Sequence, residues 1–153
     1  MKTETSKGTL LIRCIPHNSA EYKETVALRN EILRRPLGLV FNAEDLERET
    51  DSTHIACYLN GSLAGCLILE PDPHGGLKMR QVAVSKEHQG CGIGKAMVQF
   101  SEQFARENNF TKIHMNARDT AVEFYLRLGY EIEGEPFEEV TIPHRHMFKD
   151  IQE

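Results

Sequence analysis

The chain has 153 residues, 40% of them hydrophobic and 27% charged, with a net charge of −5 at pH 7. A chain of this size buries roughly 68–70% of its unfolded surface on folding, so it needs neither disulfide nor metal to hold a core. No run approaches the eighteen or so apolar residues of a membrane-spanning helix, and no Lys/Arg cluster tracks a nucleic-acid backbone, so membrane and nucleic acid are excluded as partners. Residues 1–8 are polar and lack the apolar stretch of a secretory signal, which reads as a short tail on a cytoplasmic protein. Cys14, Cys57, Cys66 and Cys91 form no CxxC pair and are read as free thiols.

In chain order, Thr9 to Ile15 is rich in Leu and Ile and ends at Pro16, as a first strand should. Asn18 with Glu21 has capping-box spacing, and Tyr22, Val26, Arg29 and Leu33 follow down one helical face until Arg35-Pro36 ends it. Asn42 to Glu49 predicts a short second helix whose acidic residues, Glu44, Asp45, Glu47 and Glu49, form a solvated face. Two strand-like runs, His54 to Leu59 and Leu63 to Leu69, flank Asn60-Gly61 and predict a tight hairpin. A turn-rich loop, Pro71 to Gly76, leads into a third antiparallel strand, Leu77 to Ser85. Gly94 to Asn108 carries Ala96, Met97, Phe100 and Phe104 on one helical stripe, which reads as core packing. Lys112 to Ala117 is a further strand, and Asp119 caps a helix that Gly129 closes. Two last strands are expected at Tyr130–Glu133 and His144–Phe148, separated by a loop from Gly134 to Pro143. The fold class is α/β (α+β): a mixed, mostly antiparallel sheet of about six to seven strands flanked by about four helices.

The segment that carries chemistry is Gln89-Gly90-Cys91-Gly92-Ile93-Gly94-Lys95, between a strand and an amphipathic helix. Its glycines let the backbone approach a ligand and leave amide N–H groups free at a helix N-terminus, where partial positive charge favours phosphate. Neither well-known cradle fits. GxGxxG needs glycine where Lys95 stands, and GxxxxGK[ST] needs glycine at Gln89 and Ser or Thr at Ala96.

Gln89-x-x-Gly92-x-Gly94 after Val82-Ala83-Val84 resembles the pyrophosphate-binding motif of the GNAT (GCN5-related N-acetyltransferase) superfamily. A second landmark, Ala121-Val122-Glu123-Phe124-Tyr125-Leu126-Arg127-Leu128-Gly129-Tyr130, is similar to that family's A-x-x-F-Y-x-x-x-G-F/Y segment. The similarity of element order covers residues 9–149, which are read as one N-acetyltransferase domain. The resemblance implies acetyl-CoA as co-substrate. Its pantetheine would lie along the strand edge at Val82, Ala83 and Val84, and its pyrophosphate on the amides of Gln89, Gly90, Cys91, Gly92, Ile93, Gly94 and Lys95. It further implies that Tyr125 stands near the thioester sulfur and protonates the departing thiolate. Arg118, at a place where the family often has Asn, completes the set of CoA contacts.

Direct transfer to an amine requires a neutral nitrogen. An amine of pKa about 10.4 is neutral at pH 7 to about one part in 2,500, a cost of roughly 4.6 kcal/mol. Some family members supply a glutamate base from the strand at the CoA contact, but Lys78, Met79, Arg80 and Gln81 stand there. The remaining candidates are Glu70, His114 beside the cleft, and the tail group Glu138, Glu139, His144 and His146. His144 is preferred, because a loop histidine titrates near neutrality. His144-x-His146 lacks a convincing third ligand, so no metal site is expected. Cys91 lies in the phosphate loop, but direct transfer needs no acyl-cysteine.

The first helix and its following loop, Arg29 to Phe41, would wall the acceptor site, with Arg34 and Arg35 either holding a carboxylate or interacting with the helix dipole. The acceptor is read as an amine of a small molecule or peptide, and an exposed strand edge permits a homodimer. The alternative function is a non-catalytic acyl-CoA binding module of the same fold.

Overall fold

The computed structural model describes residues 1–152. Along it run β1 (Lys2–Thr5), β2 (Gly8–Ile15), α1 (Ala20–Arg29), α2 (Ala43–Glu47), β3 (Thr53–Leu59) and β4 (Ser62–Pro71). There follow β5 (Gly76–Val84), α3 (Ile93–Glu107), β6 (Lys112–Arg118), α4 (Val122–Arg127), β7 (Glu131–Glu139) and β8 (Ile142–Asp150). The strands form one sheet in the order β1-β2-β3-β4-β5-β6-β8-β7. Every pairing is antiparallel except β5 with β6.

Eight strands replace the expected six to seven for two reasons. The polar residues read as a tail pair with β2, from Lys2↔Leu11 to Thr5↔Gly8. An edge strand exposed on both faces shows no apolar alternation, so the sequence pattern misses it. The expected loop from Gly134 to Pro143 is mostly strand. Its turn is Val140-Thr141, at φ 52° and 62°, and a register shift between Glu133 and Phe137 absorbs Pro136. Two left-handed β-branched residues give no turn signal, and proline is tolerated at an edge bulge because no ladder bond is asked of it.

The helices sit close to their expected places, except that Asp119 opens a 3₁₀ turn, Asp119–Ala121, and no side chain caps α4. Ser19, rather than Asn18, caps α1: its Oγ accepts from the Tyr22 amide at 3.1 Å, while Asn18 adopts a left-handed φ of 62°. Beyond Arg29 the chain widens into a π-turn, Asn30–Arg34, and then tightens into a 3₁₀ turn, Arg35–Leu37. The capping box of α2 is present between Asn42 and Asp45. Glu49 departs from the expected solvated face. Its carboxylate accepts from Arg29 Nη1 and Nη2 at 2.9 and 2.6 Å and from Tyr22 Oη at 2.6 Å, and Arg29 is 1% exposed. This pair fixes the end of α1 to the segment before β3.

The main core lies between α3 and the sheet, where Met97, Val98 and Ala105 are fully buried and Phe100 and Phe104 pack against them. The close approach depends on Gly65 of β4: a Cβ there would come within 2.9 Å of Ile93 Cγ2 and Met97 Cε.

The feature that matters for function is the β5–β6 junction. The parallel pairing covers Gly76–Lys78 with Lys112–His114 and then stops, although both strands continue. On the other side of β5 the register shifts opposite Cys66–Ile68, and Gln81 takes a φ of 56°. A bulge increases local twist and bends its strand. Here it accompanies a wedge between the two strands.

Candidate active site

The wedge encloses a cavity of about 640 Å³. At one end is the turn into α3, where Gly90 and Gly92 have φ of 81° and 80° and face open space. That left-handed conformation costs a side-chain-bearing residue about 1–2 kcal/mol. The amides of Ile93, Gly94 and Lys95 donate to no acceptor among the described residues; the first bonded amide is that of Ala96, to the Gly92 carbonyl at 3.0 Å. Three free N–H groups at the start of a fifteen-residue helix are the arrangement that an anion site requires. Gly94 has a second use, since a Cβ on it would meet Phe124 Cζ at 3.2 Å, so its absence lets α3 and α4 touch.

The middle of the cavity runs along β5 beyond Lys78, lined by Val82 and Val84. Here the β5 backbone has no partner on the β6 side, and an extended chain with amide groups can add to it as a strand would. Tyr125 of α4 stands opposite. It is held by a Schellman closure, with the Tyr130 amide bonded to the Tyr125 carbonyl at 3.0 Å and the Gly129 amide to the Leu126 carbonyl at 3.1 Å. Its ring packs edge-on against Phe124 and Tyr130. The residue is 5% exposed, its hydroxyl makes no hydrogen bond among the described residues, and burial pushes its pKa up to about 12. The phenol therefore stays protonated throughout the physiological range.

At the far end, β8 presents His144, 6% exposed and stacked on Phe137. Its Nδ1 lies 2.7 Å from the Ile142 carbonyl, which requires the proton on Nδ1 and leaves Nε2 with the lone pair. Glu139 Oε2 lies 3.6 Å from that Nε2, and Glu139 Oε1 accepts from Asn116 Nδ2 at 3.4 Å. The turns after α1 close this side with Leu33, Arg34 and Leu37, and Arg118 reaches across from β6 to the Leu33 carbonyl at 3.2 Å.

Most of the sequence-derived candidates meet in this cavity, but several do not. Ala83 does not line it: its side chain is buried with Leu28 and Cys66 on the other side of the sheet. Cys91 packs against the main core instead of facing the wedge. Glu70 is tied to Arg80 at 2.8 Å and lies outside. His114, expected beside the cleft, bonds Asp72 at 2.9 Å and lines a separate hollow with His146. Glu138 and Arg35 are exposed and also lie outside. Sequence reading missed Asn116, which holds Glu139 on one side and accepts from His146 Nδ1 at 2.9 Å on the other. Strand alternation along β6 places it on one face with His114 and Arg118, and was the available signal.

Free helix amides, an opened parallel strand edge and a buried phenol make a cleft for an elongated ligand with phosphate at one end. Comparison agrees with this class. The profile of the Acetyltransferase (GNAT) family matches residues 19–130, and the chain belongs to that family. It is thus an acetyltransferase, and its overall fold is the expected one. The chain is 28% identical over 138 residues to the uncharacterised N-acetyltransferase YjcF of Bacillus subtilis (strain 168), covering 89% of this chain and 97% of that one. A Lactobacillus plantarum protein provisionally assigned as an N-acetyltransferase superposes with a TM-score of 0.84 at 23% identity, covering 94% and 99% of the two chains. An aminoglycoside 6'-N-acetyltransferase complexed with coenzyme A gives 0.78 at 17%, covering 94% and 98%. Among the described residues no helix is long and apolar enough to cross a membrane.

Proposed function

We propose that the cleft moves the acetyl group of acetyl-CoA directly to an amine of a small molecule or peptide. The observation that carries this reading is the parting of β5 from β6 beyond Lys78 and His114, which joins the free amides of α3 to the unpartnered hydroxyl of Tyr125 in one cavity. In this reading the pyrophosphate sits on the amides of residues 93–95 and the pantetheine runs along Val82 and Val84. The thioester then reaches Tyr125.

The amine nitrogen attacks the thioester carbon, the C–S bond breaks and the nitrogen gives up a proton. His144 Nε2 receives that proton, and Glu139 at 3.6 Å stabilises the imidazolium. The sulfur leaves as thiolate beside the Tyr125 hydroxyl. A phenol of pKa about 12 is a weaker acid than a thiol of about 8.5, so complete proton transfer would be uphill by about 5 kcal/mol. Tyr125 therefore acts first as a hydrogen-bond donor to the developing thiolate, which solvent protonates on release. A donor that stays neutral is suited to this, because its bond strengthens as charge grows on the sulfur.

Thiol release from acetyl-CoA in the presence of a panel of amines tests the reading. Tyr125→Phe should lower kcat by about 10²-fold while leaving the KM for acetyl-CoA within a few-fold. The wild-type rate should show no alkaline limb from Tyr125 below about pH 11. A non-catalytic acyl-CoA binder would instead release no thiol with any amine, and the substitution would change nothing.

A further inference from the structure

The lining of the cleft is cationic, in a chain whose net charge is −5. Arg34, Lys78, Arg80, Lys95 and Arg118 line the cavity against a single carboxylate, that of Glu139. Lys95 belongs to the first turn of α3, at the amide end. Arg80 is neutralised by Glu70 at 2.8 Å, and Glu139 is turned to His144 and Asn116. Arg34 and Arg118, both half-buried, form no ion pair with a carboxylate among the described residues.

These two guanidinium groups are held in place. Arg34 lies over the Phe41 ring at 4.4 Å, and Arg29 lies over the same ring at 4.4 Å. Arg118 is tethered to the Leu33 carbonyl, on the residue next to Arg34. Burial first, and the Arg34 charge second, hold Arg118 below the ordinary arginine pKa. Two fixed, half-buried cations without a counter-ion lose part of their hydration, and a bound anion relieves that cost. Guanidinium groups also match the planar fork of a carboxylate. The same wall disfavours an ammonium, so an amine entering here is biased to its neutral, reactive form.

We propose that Arg34 and Arg118 form a carboxylate subsite, and that the acceptor is an amine carrying its own carboxylate, an amino-acid-like molecule rather than a polyamine. This inference rests on the acetyl-transfer reading of the cleft. It replaces the pairing of Arg34 with Arg35, because Arg35 lies outside the cavity, and it moves Arg118 from the CoA contacts to the acceptor.

The test is calorimetric binding to the CoA-saturated protein, run beside thiol release from acetyl-CoA. The probes are amino carboxylates, such as β-alanine, phenylalanine and glutamate, their carboxamides, and spermidine. At least one carboxylate should bind tenfold or more tightly than its amide. Arg34→Gln should reduce that preference at least tenfold, Arg34→Lys should restore part of it, and Arg118→Gln should act in the same direction as Arg34→Gln. The KM for acetyl-CoA should not change. No preference for any carboxylate, or tighter binding of spermidine, overturns the subsite. A rise confined to the KM for acetyl-CoA also overturns it, because the pair would then serve the cofactor phosphates. Absence of CoA binding and of thiol release falls on the acetyl-transfer reading instead, and is seen separately from carboxylate preference.

Discussion

Glu49 shows how one residue changes meaning between sequence and fold. In the chain it closes an acidic run, yet in the structure its carboxylate pairs with Arg29, twenty residues away. Burial alone would raise its pKa, but the Arg29 and Tyr22 hydrogen bonds outweigh that and hold it below the usual glutamate range. His54, bonded to the Glu49 carbonyl at 2.9 Å, is held below the usual histidine range mainly by burial. Both groups bind protons less readily folded than unfolded, so both contribute stability at neutral pH that is lost on acidification. The melting temperature should begin to fall below about pH 6.5, through His54, and fall further below about pH 4.5, through Glu49. Glu49→Gln leaves Arg29 buried without its counter-charge, a cost of about 3–5 kcal/mol, or a drop in Tm of about 10 °C. Its acid sensitivity below about pH 4.5 should be correspondingly weaker. A melting temperature within about 2 °C of wild type, on the order of a 0.5–1 kcal/mol effect, would show that the pair does not anchor α1.

At the scale of elements, the seat of α3 on the sheet couples stability to the anion site. Ile93 begins the helix whose free amides face the cavity, and its Cγ2 would lie 2.9 Å from a Cβ at Gly65. The third close atom there is the Ala83 carbonyl oxygen at 3.1 Å, which belongs to a paired strand and yields little. Gly65→Ala should therefore cost about 1–3 kcal/mol in denaturant unfolding. It should also raise the KM for acetyl-CoA several-fold, because the first turn of α3 is pushed off the sheet. A destabilised variant with an unchanged KM would mean that the helix N-terminus does not hold the cofactor. The register break opposite Gln81 acts at the same scale, on the strand whose outer edge borders the wedge.

For the whole molecule, what is legible in the sequence is local. Asn60-Gly61 encodes its own turn, and the Gln89–Lys95 segment encodes its own bend and free amides, so both follow from neighbouring residues alone. What is not legible is assembled across distance. The acceptor end draws Arg34 from the turn after α1, Asn116 and Arg118 from β6, and Glu139 and His144 from the last hairpin. None of these has a neighbour in sequence that announces the contact. The hairpin itself is hidden, because Val140-Thr141 makes its turn without glycine or asparagine. Overall charge misleads as well. A net −5 suggests affinity for cations, whereas the cavity carries the opposite sign.

Calorimetric titration with acetyl-CoA of the wild type, Gly92→Ala and Gly92→Glu tests the central claim most directly. Both variants carry the same left-handed strain at φ 80°, and only the second puts bulk and negative charge beside the amides. If those amides hold the pyrophosphate, the wild type binds with micromolar affinity, Gly92→Ala retains it within several-fold, and Gly92→Glu loses about 10²-fold or more. No binding by the wild type, or equal binding by all three, would contradict it.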